Sequence, residues 1–172
     1  MSAWLWPTTA DVGMRVFANS LASLLGEAAT GVQAYLISET SARTINAHVR
    51  RTGEWRVRPT HRPNDVHFLY LAWLDEVLYR AEVKNQWYVD GHIKIEHDDE
   101  GMTAVVQAAW IDASDVEREI EIKAVTTHDL VVREVAEGEI IASRWAEVPE
   151  FTGPGWYLSL IHISEPTRPS QI

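Results

Sequence analysis

The chain has 172 residues, no cysteine, and a formal net charge of −10 from 25 acidic residues against 15 lysines and arginines. Its length suits one domain with a real core, and the missing cysteines exclude disulfides and thiolate metal sites. An acidic chain repels phosphate backbones, so direct nucleic-acid binding is not expected, and no apolar run approaches the roughly 20 residues of a membrane span. The opening MSAWLWPTTA has no basic segment and too short an apolar run for a signal peptide. A soluble, cytoplasmic protein is expected.

Residues 11–18 form the first strand candidate, with Val12, Met14 and Val16 alternating, and Gly13 marks a bulge or a close backbone approach. Asn19 or Ser20 caps a helix to about Leu36, whose stripe is Leu21, Leu24, Leu25, Ala28, Ala29 and Val32. Gly26 and Gly31 within it suggest close packing on a sheet. Ile45, Ala47 and Val49 alternate, so residues 41–51 read as a second strand. The basic, proline-bearing residues 50–62 read as an exposed connection. Asn64 or Asp65 caps a second helix to about Val83, with Leu69, Tyr70, Trp73, Leu74, Val77, Leu78 and Ala81 inward.

From Trp87 the pattern is mostly extended. Residues 87–97 and 102–111 flank the turn Asp98-Asp99-Glu100-Gly101 as a hairpin. In EIEIKAVTTHDLVV, residues 119–132, Ile120, Ile122 and Ala124 alternate with Glu119, Glu121 and Lys123. Thr126 and His128 then take positions that should point inward, so the strand either breaks near Thr127 or reaches a polar site. Residues 139–146 read as a further strand, 149–155 as a loop, and 156–161 as a last strand. The expected fold is α+β: a two-layer sandwich, mostly antiparallel β-sheet, with two helices packed on one face.

Catalytic patterns are weak. There is no phosphate-cradling glycine loop and no nucleophile elbow. His92, His97, Asp98, Asp99 and Glu100 bunch at a hairpin tip, where solvated turns are the ordinary explanation. His48, His61 and His67 are scattered and receive no role. Asp11, at the mouth of a strand beside a glycine, offers one hard oxygen donor, which alone is not a site.

Three blocks carry a resemblance: Thr9-Ala10-Asp11-Val12-Gly13, Ala72-Trp73-Leu74-Asp75-Glu76-Val77-Leu78, and Glu121-Ile122-Lys123-Ala124-Val125-Thr126-Thr127-His128. In order and spacing they resemble archease over residues 8–157. The family usually has a histidine where Thr8 stands, a tyrosine where Thr127 stands and an asparagine where Asp75 stands. The resemblance implies a non-enzymatic activator of the GTP-dependent RNA ligase that joins a 3′-phosphate or cyclic-phosphate end to a 5′-hydroxyl end in tRNA splicing and RNA repair. It would promote guanylylation and multiple turnover of that ligase, which uses GTP and manganese. Asp11 would share a divalent cation, calcium or manganese, with an aspartate ending the family's last strand. Lys123, Thr126 and His128 would be the ligase-activating residues. Lys123 and His128 fall on opposite faces of an unbroken strand, so a break near Thr127 is needed for both to serve one site. The competing reading is a stand-alone metal-dependent phosphoester hydrolase using Asp11, His128 and the acids near Asp98.

Residues 158–168, LSLIHISEPTR, resemble the translation of a common transposon-type sequencing adapter. The expected organisation is therefore one archease-like domain over 1–157 and a non-native tail over 158–172, in which the family's final aspartate is missing. Leu158 and Leu160 still fit a strand's alternation.

Overall fold

The structure, a computed structural model, describes residues 3–7, 11–122, 124–125, 130–142 and 150–164. In chain order its elements are β1 (Ala3–Pro7), β2 (Asp11–Ala18), α1 (Leu21–Leu36), α2 (Glu39–Thr44), β3 (Arg51–Val57), α3 (Val66–Glu82), β4 (Gln86–Asp98), β5 (Gly101–Asp112), β6 (Ala124–Val125), β7 (Val131–Val135), β8 (Ile140–Ile141), β9 (Phe151–Thr152) and β10 (Gly155–Ser164). Short 3-10 turns follow α2 at Ile45–Ala47 and β5 at Ala113–Asp115. No helix among the described residues is long and apolar enough to cross a membrane.

The two long helices start where their caps predict. The Ser20 hydroxyl accepts from the Ser23 N–H at 3.1 Å, and the Asp65 carboxylate accepts from the His67 N–H at 2.9 Å. Leu24, Leu25, Ala28, Ala29 and Val32 of α1 are fully buried, as are Leu69, Tyr70 and Trp73 of α3. The Trp73 indole N–H donates to the Leu25 carbonyl at 2.8 Å, and the Tyr70 hydroxyl donates to the Leu21 carbonyl.

Every strand pairing is antiparallel. The fold is α+β, as expected, but its strands divide among three sheets. One has the order β1-β2-β10, with β6 and β7 end to end along the far side of β10. The second has the order β3-β5-β4, and the third is the pair β8-β9. Both long helices lie against both larger sheets and share one core with them. A smaller cluster of Phe17, Val135, Ile141 and Tyr157 gathers on the opposite face of β2, where Phe17 stacks on Phe151 at 4.6 Å.

Several expectations are corrected. Residues 39–44 are helical, capped by Ser38, and of the alternating residues Ile45 is only partly buried while Val49 is 85% exposed, so 41–51 is not a strand. The basic stretch contains β3, which turns Trp55 and Val57 into the core. Residues 119–122 are not a strand: the Glu119 N–H donates to the Leu36 carbonyl and the Ser38 N–H to the Glu117 carbonyl, so this backbone closes the end of α1. The strand expected over 139–146 is described only as β8, and residues 143–149 lie outside the described residues. β9 falls inside the expected loop, and β1 was not anticipated. β10 runs on to Ser164, with Leu158 fully buried.

The two helix glycines differ. A Cβ at Gly31 would sit 2.8 Å from the Ala3 Cβ and 3.3 Å from the Met14 Sδ, whereas one at Gly26 would meet only Ile93 Cδ1 at 3.8 Å. Gly31→Ala is therefore expected to destabilise the fold by about 1–3 kcal/mol through overpacking. Gly26→Ala is expected to stabilise it by about 0.5–1 kcal/mol through helix propensity. Urea unfolding of the two variants checks both signs.

Candidate functional site

The site proposed from the sequence centres on Asp11, and strand register places that residue. Asp11 is the Cα partner of Ser164 on β10, and Ser164 is in turn the partner of Ala124 on β6. Asp11, Ser164 and Ala124 thus form one row across the end of the five-stranded sheet. Trp156 and Tyr157 pair instead with Ala18 and Phe17, at the other end of β2. The carboxyl-terminal strand does reach Asp11, but by its far end. Between Leu160↔Met14 and Ile163↔Val12, β10 carries Ile161 and His162 against the single residue Gly13, so the bulge expected at Gly13 lies in its partner strand.

Lys123, Thr126 and His128 lie outside the described residues, as does Thr127. Their flanks are placed. Val125 pairs with Ile163 and Val131 with Ser159 of β10. The break expected near Thr127 falls outside the described residues.

His67 reaches the start of β7. Its Nε2 accepts from the Val132 N–H at 3.3 Å, and its Nδ1 lies 2.9 Å from Asp65 Oδ1. An accepting Nε2 leaves the proton on Nδ1, which donates to Asp65, so the ring bridges the start of α3 to the edge strand. Burial opposes ionisation of Asp65, but the His67 amide and ring outweigh it and hold this carboxyl below its ordinary 3.8. Sequence reasoning gave His67 no role. The available signal was its spacing, two residues after a helix-capping aspartate.

Arg58 pairs with Asp98 at 3.3 Å and also with Glu100, on the three-stranded sheet, away from the sheet that carries Asp11. Arg56 pairs with Glu54 at 3.1 Å and Glu96 at 3.4 Å, which accounts for much of the basic stretch. In the second motif block Trp73 is core, and Glu76 pairs with Arg80 at 2.6 Å, whose guanidinium lies 4.2 Å from the centre of the Trp55 ring.

The sequence profile described as the archease protein family (MTH1598/TM1083) matches residues 5–144. The chain belongs to the archease family. Its fold is similar to the solution structure of Methanobacterium thermoautotrophicum protein 1598, with a TM-score of 0.54 and 19% identity over 96% of this chain and 99% of that one. At that identity the likeness shows the fold alone. No individually curated protein matches the chain.

A cation at the archease corner needs several hard oxygens, typically about six to eight for calcium. The row offers one carboxylate, Asp11, with serine and alanine at the positions beside it, and no group of three or more His, Cys, Asp or Glu able to hold a metal is found among the described residues. Among the described residues, no donor set for a firmly held cation is assembled.

Asp65→Ala is expected to cost about 1 kcal/mol at neutral pH, through the lost cap. Because the folded carboxyl sits below its ordinary 3.8, its stabilisation is present above that value and fades as pH falls through the lower folded value. Unfolding curves of both proteins from pH 7 to pH 2 (about five units, spanning the carboxylate range) should therefore converge at the acid end.

Proposed function

We propose that this archease-family chain is a protein cofactor of a GTP-dependent RNA ligase, promoting its guanylylation and repeated turnover in tRNA splicing and RNA repair without being an enzyme itself. Family membership supports the reading. The observation that carries it is the row Asp11–Ser164–Ala124, which brings the start of β6, the residue just after Lys123 in the sequence, to the sheet end that holds Asp11. A chain of net charge −10 suits a helper that touches the ligase and leaves RNA to it. In this reading Lys123 meets a phosphate or an acidic ligase group as a point charge, and His128 orients the strand end or moves a proton. Thr126 lies between them in the sequence.

The direct test is ligase guanylylation with and without this protein. Asp11→Ala and Lys123→Ala are each expected to lower the stimulation by about tenfold or more. Undiminished stimulation by both variants removes these residues from the mechanism, and phosphoester hydrolysis without ligase would favour the hydrolase reading instead.

We also infer that residues 158–172 replace the family's own chain end, on the strength of their adapter-like sequence. Position 164 is then where a second carboxylate would face Asp11. Ser164→Asp is expected to raise calcium or manganese affinity about tenfold by calorimetry, as added ligand charge does in oxygen-coordinated sites. No gain in either metal would argue against a two-carboxylate corner.

A further inference from the structure

A trench runs between α1 and the open edge of β4, on the opposite sheet from Asp11. β4 ends the order β3-β5-β4, and among the described residues no strand pairs with its other side. Two clefts lie along this line, of about 470 and 320 Å³, and they share Thr30, Tyr88 and Asp90. Their chemistry differs. The first has Ser23, Glu27 and Thr30 on one wall and Asp90 and His92 on the other. Glu27 and Asp90 have no cationic partner among the described residues. The second is walled by Ile37, Ile45, Trp87 and Val89, with Gln33, Asn46 and Arg50 as polar groups beside the shared Thr30 and Asp90.

Gln33 is the independent sign of a ligand. It is 7% exposed and its Nε2 has no hydrogen-bond partner among the described residues. A buried amide donor left without an acceptor is costly, and an apolar side chain would fill the same space without that cost. A carbonyl oxygen from outside would satisfy it.

We propose that this trench binds an extended segment of a partner protein, which adds as a strand to the edge of β4. Its basic side chain lies between Glu27 and Asp90, and an apolar side chain two residues away fills the second cleft. A backbone carbonyl turned away from β4 meets Gln33 Nε2. α1 is 16 residues long, about 24 Å at 1.5 Å per residue, which a segment of about seven extended residues spans. That length, the free strand edge and the paired acidic and apolar clefts favour a peptide over a small molecule. The inference is independent of the ligase reading, since it concerns another sheet and other residues.

The test uses the full chain and fluorescein-labelled heptapeptides in which threonine alternates with lysine and leucine, in both orders, against controls carrying glutamate for lysine or serine for leucine. Fluorescence anisotropy should show binding of a lysine–leucine peptide and not of the controls. Glu27→Lys should weaken it about tenfold or more. Gln33→Leu should also weaken it about tenfold while raising the unfolding midpoint, because it removes the unpaired donor. A residue kept only for structure would lower that midpoint. Amide chemical shifts should move along 89–93 and the facing side of α1. No binding by any peptide, equal binding by the glutamate control, unchanged affinity in both variants, or full competition by free argininamide would overturn the proposal, the last in favour of a small cationic ligand.

Discussion

One buried indole sets the spacing on which this molecule is built. Trp73 sits fully buried in α3, donates its N–H to the Leu25 carbonyl of α1, and packs edge-on against Tyr88 of β4 at 5.5 Å and tilted against Trp55 of β3 at 6.5 Å. It therefore touches the other long helix and two strands of one sheet at once. On the other side, Gly31 lets α1 settle onto Ala3 and Met14 of the five-stranded sheet. The two contacts together hold a pair of helices between two sheets. Loss of such a large buried side chain removes contacts to several elements together, which is why cores of this kind unfold as units.

The elements with a strong period were legible before the structure. β2, α1, α3 and the β4–β5 hairpin lie where alternation or helical spacing put them, because each carries a clear apolar period. Charge misled the reading of β3. RTGEWRV alternates properly, but its arginines suggested a solvated loop, since nothing in a linear reading shows that Glu54, Glu96, Asp98 and Glu100 come to meet Arg56 and Arg58. The opposite error occurred at Ile45, Ala47 and Val49, whose alternation is accidental. Residues 119–122 were misjudged for a third reason: their backbone groups are used to finish α1, a demand that side-chain pattern does not record.

The candidate site was legible in a different way. No local pattern marks Asp11, and only the motif resemblance singled it out. The register then explains how one aspartate near the amino end comes to share a row with the edge strand that carries the second half of the motif. His67 stayed hidden because its work is geometric. It spans from the cap of α3 to the Val132 amide, and that pairing joins residues 65 positions apart. β6 and β7 are thus both held by β10, and β7 by an imidazole as well.

β10 occupies the middle of the five-stranded sheet, with β2 on one flank and β6–β7 on the other. Its neighbours come from near the amino end and from the chain just before it, so β2 has only the β1 partner until nearly everything described here has left the ribosome. During synthesis one edge of β2 stays unpaired for most of translation. Sheets that close late through such distant pairings form slowly and expose sticky edges meanwhile. The order of strands in this sheet therefore makes the nascent chain, more than the finished protein, the form most in need of protection.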